Sequence, residues 1–199
     1  MCLYFLYKFV KKNQLKEYFK EYKPFLLFLA KFLGAYLVLT FAYYSYLSEY
    51  DQEKFEVDGF TQIVANQTSK LISVFDSRTH VEPNFTEPSV NLFYREKWVS
   101  RIIEGCNALS VMILFVSFIF AFSGKFKQTV LFIFFGCLVI HVFNITRIAL
   151  LGVSMFHYPQ YQDILHGVVF PLFIYGVVFI LWIVWVNKFS SYAKKSSKR

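Results

Sequence analysis

Three side chains carry the chemistry available to this sequence: the thiol of Cys106, the guanidinium of Arg147 and the imidazole of His166. A thiolate is a strong nucleophile, an imidazole moves protons near neutral pH, and a guanidinium in apolar surroundings stabilises negative charge as it develops. Together they are the parts of acyl transfer. Cys106 would attack a peptide carbonyl to form a thioester, His166 would pass the proton to the leaving amine, and Arg147 would hold the oxyanion. Each residue also has a plainer reading. A free cysteine is commonly a small buried hydrophobe, a membrane arginine can snorkel or tie helices together, and a helix-end histidine is often an interface residue. Cys106, however, stands where an apolar run begins, and a helix start and a buried cation both favour the thiolate. His157 is the competing general base, and His141 lies too deep to be a first choice. Asp163 would orient the His166 imidazole if the last helix starts early. His141 and Asn144 precede Arg147 at three-residue steps, so the three form a polar stripe on one helix face.

These residues can meet only if a membrane bundle positions them. Of 199 residues, 56% are hydrophobic and 17% charged, a balance that points to lipid rather than to a soluble domain. The runs 25–47, 107–123, 129–151 and 168–186 read as spanning helices, the second of them short, giving an all-α membrane protein with four transmembrane helices. The first run is too long for a signal-peptide core and reads as a retained anchor. Residues 1–24 hold six lysines against two glutamates, which suits a basic helix on the inner leaflet, and the tail 187–199 holds five basic residues. The turn 124–128 adds two, whereas 152–167 has none. The positive-inside rule then places both termini and the turn in the cytoplasm of a bacterial inner membrane, leaving 48–106 and 152–167 outside. Arg95, Lys97 and Arg101 run against this locally, and Glu96 and Glu104 offset them in part.

The outer segment 48–106 contains ten of the thirteen acidic residues. Phe60, Ile63, Val64, Leu71, Val74 and Phe75 recur at helical spacing and predict a half-buried helix. The stretch 76–88, with Pro83 and Pro88, reads as a loop, and Trp98, Val99, Ile102 and Ile103 fit either a strand or a helix. In this topology Cys106 is the last residue before the second span descends. Arg147 lies roughly 6 Å below the outer end of the third. His166 sits where the fourth re-enters. The three thus share one level at the extracytoplasmic face.

Several functions are disfavoured. The basic charge sits at the chain ends and in one turn, with no stripe on a folded face, so nucleic acid is not an expected partner whereas membrane lipids are. Cys2, Cys106 and Cys137 form no CxxC pair and no cluster with metal spacing, which argues against disulfide redox chemistry; no metal or cofactor is expected. A carrier using Arg147 as an anion site fits poorly with four short spans and no evident repeat. A non-catalytic scaffold or assembly partner is the principal alternative to an enzyme.

Three segments together resemble the exosortase/archaeosortase family of membrane transpeptidases. They are Glu104-Gly105-Cys106-Asn107-Ala108 before one span, Asn144-Ile145-Thr146-Arg147-Ile148 late in the next, and His166-Gly167 at the opening of the last. The small size, the single anchor ahead of a long outer segment and the Phe-rich spans look most like the exosortase F branch. The resemblance implies a catalytic site of Cys106, Arg147 and His166. Its substrate would be an exported protein ending in a short motif, a transmembrane helix and a basic tail, whose new C-terminus is joined to an acceptor after cleavage. It also implies one or a few dedicated targets. This chain departs from the family in one place: many relatives have Cys-Ser-Gly where it has Cys106-Asn107-Ala108. The altered turn bears on substrate choice and leaves peptide-bond cleavage better supported than transpeptidation.

Overall fold

The computed structural model describes residues 2–122 and 124–189, with the backbone alone at residues 2–20 and 52. The expected end of the second span at Ser123 and the basic tail over 190–199 lie outside the described residues, as do the lysine side chains of the N-terminal arm up to residue 20. Helix α1, Cys2–Leu47, runs through Pro24 without ending, so the backbone of the arm continues directly into the first apolar run. Helices α2 (Gly59–Ser73), α3 (Leu109–Ala121) and α4 (Phe126–His157) follow, and a last run of helical turns, α5, covers Pro159–Phe189.

Among the described residues, three helices are long and apolar enough to cross a membrane: Glu21–Leu47, Phe126–His157 and Pro159–Phe189. Each exceeds the ~20 residues needed for about 30 Å of hydrocarbon. The expected second span is represented by α3, which is equally apolar but, at 13 residues, only about 20 Å long. It lies at the centre of the bundle. Phe115 and Ile119 of α3, fully buried, pack with Ile140 of α4 and with Ile174 and Val178 of α5. Gly136 permits this approach, because a Cβ there would overlap the Phe115 ring. Phe28 fastens α1 to α3 through the rings of Phe118 and Phe122, at 5.9 and 4.6 Å between centroids. The outer face of α1, with Leu37, Val38 and Phe41 exposed, is apolar as a lipid-facing surface must be.

The outer segment corrects the all-α expectation. Besides α2 it contains a three-stranded antiparallel sheet in the order β1 (Thr79–Pro83), β2 (Val90–Tyr94), β3 (Lys97–Ile102). The stretch expected to be a loop over 76–88 therefore includes an edge strand, and the undecided stretch near Trp98 is a strand. The alternation of buried Val90, Leu92 and Tyr94 explains the central strand, since one sheet face meets the core. Pro83 is tolerated because it ends an edge strand. Arg95 and Glu96 close the β2–β3 hairpin with φ of 52° and 62°, the mirror-image turn whose twist matches paired strands.

The half-buried helix expected here is α2, but its stripe is right only in part. Val64 is buried and Phe60 and Leu71 pack against the core, whereas Ile63, Val74 and Phe75 are exposed and Thr61, Ala65, Thr68, Ser69 and Ile72 complete the buried face. Small and hydroxylated residues let α2 lie close to the sheet and to α4. Its start is fixed by Asp58, whose side chain accepts from the Thr61 N–H at 2.9 Å. The core of this segment continues into α4 through Ile148 and Ala149, with Val153, Met155 and Phe156 against it. That packing carries α4 beyond its expected end at 151. Only Tyr158 separates it from α5, so the 152–167 segment is helical turns rather than an open loop.

Candidate active site

The nucleophile candidate sits on a short bridge between sheet and bundle. Beyond β3, Glu104–Cys106 forms one 3₁₀ turn, closed by the Cys106 N–H to the Ile103 carbonyl at 2.9 Å and the Asn107 N–H to the Glu104 carbonyl at 3.1 Å. Ala108 then takes φ 64°, in the left-handed region, before α3 begins at Leu109. Cys106 is thus three residues ahead of α3 rather than on its first turn.

Five side chains hold this bridge. Asn107, 1% exposed, accepts the Leu109 N–H on Oδ1 at 2.8 Å. Its Nδ2 donates to Thr61 Oγ1 of α2 at 3.0 Å and to the Tyr43 hydroxyl of α1 at 3.3 Å. Tyr43 in turn donates to the Glu104 carboxylate. From the opposite side Asn144 of α4, also 1% exposed, donates from Nδ2 to the Cys106 carbonyl oxygen at 2.8 Å. The backbone at Cys106 is therefore clamped between α1, α2 and α4.

Cys106, Arg147 and His166 line a single cavity of about 450 Å³. Strand β3 forms one wall, and Leu151 and Met155 of α4 with Gln162 of α5 form the other. Cys106 and Arg147 are half-buried, whereas His166 is exposed in a widened π-type turn, Leu165–Val169. Among the described residues no carboxylate pairs with Arg147, and its buried Nε has no hydrogen-bond partner. A cation with no carboxylate partner, opening onto the same cavity as a thiol, is placed to stabilise an oxyanion formed there.

The other sequence candidates fall differently. Asn144 reaches the site, but through the Cys106 backbone. Asp163 is exposed, does not line the cavity and makes no hydrogen bond to His166, even though the helix does start early at Pro159. His157 lies against the rings of Tyr94 and Phe156, away from the cavity lining. His141 bonds to Gln67 at 2.7 Å with its ring near Phe60. Among the described residues no His, Cys, Asp and Glu cluster is able to hold a metal ion. Sequence reasoning missed Tyr43, and it gave Glu104 and Asn107 only as members of the motif around Cys106, without a role in holding it. Only Asn107 left a local signal, as a side-chain acceptor two residues before a helical run. Tyr43 and Glu104 are joined across 61 positions of chain, and no periodicity predicts such a pair.

In comparisons with known proteins, the model of the family described as Transmembrane exosortase (Exosortase_EpsH) matches residues 18–187. No curated protein and no solved structure matches the chain.

Proposed function

Because the chain belongs to the transmembrane exosortase family, we propose that it is a membrane cysteine transpeptidase or protease that cleaves the C-terminal sorting signal of exported proteins. The supporting observation is the single cavity onto which Cys106, Arg147 and His166 open from three separate elements. In the reaction, His166 takes the thiol proton and Cys106 Sγ bonds to the scissile carbonyl carbon, with the oxyanion facing Arg147. The carbon–nitrogen bond then breaks, the amine leaves with the proton from His166, and a thioester remains on Cys106. An acceptor nucleophile, or water, gives its proton to His166 and attacks the thioester. The new C-terminus is released or joined, and the thiol is restored.

The site faces the periplasm of a bacterial inner membrane in this reading. Helix α3 with its flanking residues completes a fourth crossing, and both termini lie in the cytoplasm. The substrate carries a short motif, a transmembrane helix and a basic tail. The branch is that of exosortase F, serving one or a few dedicated targets.

The test is C-terminal peptide mass spectrometry of membrane and surface proteins from wild-type and Cys106→Ala cells. One or more proteins retaining a C-terminal helix and basic tail only in the variant is the expected result. It would identify the substrate, the cut and any acceptor. No difference, with the variant stably expressed and its target set being made, removes catalysis by Cys106 and leaves a scaffold as the better reading.

A further inference from the structure

We propose that the substrate's recognition segment binds as an added β-strand along the free edge of β3, which delivers its scissile bond to Cys106. This rests on the enzyme reading above and specifies how the substrate is held.

Strand β3 is the sheet's outermost strand on the side of the cavity, paired only with β2. Among the described residues, the backbone of Lys97–Ile102 makes no hydrogen bond beyond that ladder. In an antiparallel edge strand every second residue turns its N–H and C=O outward, which makes a template for another chain. Side chains alternate between the two faces of a sheet, so a cavity on one face would touch every other residue. Here six consecutive residues, Trp98, Val99, Ser100, Arg101, Ile102 and Ile103, line it. The register shift opposite Leu92 and Phe93 leaves Val99 as a bulge, but Ser100, Arg101 and Ile102 beyond it alternate normally, so both faces contribute and the cavity runs along the strand's edge. The same cavity is lined by Cys106, which follows the strand on the 3₁₀ turn.

Two further features match an extended peptide. Ser100 Oγ is buried without a partner in this same wall and is available to a backbone amide. The edge is not protected: Arg101 is drawn aside by Glu87 at 2.6 Å, and Trp98 remains 60% exposed. Six residues of edge measure about 20 Å, enough for a short linear motif. Main-chain pairing would supply affinity and alternate side chains would supply specificity, the usual division when a peptide extends a sheet. Such a peptide is also held straight, with its carbonyls presented to the nucleophile at the end of the strand.

The test is made in cells carrying Cys106→Ala, where the precursor is not consumed. The photo-crosslinking residue p-benzoylphenylalanine replaces Trp98 or Ile103, or Glu82 on β1 at the opposite edge of the sheet. Crosslinks from positions 98 and 103, mapped to the sorting motif of the same protein that accumulates unprocessed, are expected, with none from position 82. In the purified Cys106→Ala complex with that precursor, exchange of the outward amides over 97–102 should slow about tenfold relative to the variant alone. If the precursor accumulates but crosslinks only from position 82, or those amides exchange unchanged, edge binding is wrong and the enzyme reading survives. If no precursor accumulates at all, the enzyme reading fails and this inference falls with it.

Discussion

At the residue scale, the candidates for the proposed chemistry stand out in the sequence by type, while the side chains that hold the bridge at Cys106 do not. A thiol before a span and an arginine within one are rare enough to be noticed by type alone. Arg147 carries the sharper prediction, because the role proposed for it depends on shape as well as charge. Lysine keeps the charge but loses the planar fork, so Arg147→Lys should slow processing by about 10²–10³, as loss of an oxyanion donor does. The rate at which precursor is consumed in a pulse-chase would measure it. Near-wild-type processing would remove Arg147 from the reaction. Ala108 makes a prediction of the opposite sign. Its φ of 64° is a conformation that costs an L-residue about 1–2 kcal/mol, and a glycine there would give back only part of the gain through its looser unfolded chain. Ala108→Gly should therefore stabilise the protein by roughly 0.5–1 kcal/mol, read as a higher unfolding temperature in detergent. A lower one would show that the Ala108 methyl, 6% exposed in the bundle core, contributes more than the strain costs.

At the scale of elements, the apolar helices announced themselves by length, whereas the outer segment hid its sheet. Strands of five or six residues, two of them carrying charge and one a proline, are stabilised by partners far along the chain rather than by local pattern. The stripe on α2 was only half legible for a related reason. Phe60, Val64 and Leu71 do face the core, but close packing adds Thr61, Ala65 and Thr68 to that face and leaves Ile63 outside it. What holds the sheet to the end of α2 is visible in charge. Asp76 accepts bonds from Arg78 at 3.0 Å and from Arg95 of the hairpin turn at 2.6 Å. Arg78 first, then Arg95, hold its carboxyl well below the usual carboxylate range. The charged form is the one stabilised by folding, so the contribution is present above the ordinary aspartate value of about 4 and is lost as pH falls toward the depressed one. Limited proteolysis of the outer segment from neutral pH down to about 3 should show cutting that rises in the wild type as pH falls. In Asp76→Asn the segment should be more readily cut at neutral pH and change less on acidification. Identical profiles for the two proteins would mean that the arginines lock nothing.

At the scale of the whole molecule, one site is assembled from elements that cross the bilayer and one that does not. The sheet supplies a wall, the bridge supplies Cys106, and α4 and α5 supply Arg147 and His166. This convergence was readable from topology in advance because it depends only on which end of each span a residue occupies. The bridge's tie to α1 and α2 was not, since it depends on side chains meeting in three dimensions. In the orientation proposed above, the lysine-rich arm and the tail share the cytoplasmic side and the cavity lies opposite them, as the positive-inside rule expects of four crossings. The three cysteines test this directly. Cys2 belongs to the arm, Cys137 lies half-buried within α4, and Cys106 opens onto the cavity. A membrane-impermeant maleimide added to intact cells should therefore label the wild type, and Cys106→Ser should lose that label with the other two cysteines still present. Cys2 should react only after the inner membrane is permeabilised. Labelling of intact cells that persists in Cys106→Ser, or that appears for Cys106 only after permeabilisation, would reverse the orientation and move the site to the cytoplasmic side, where an exported substrate could not reach it after export.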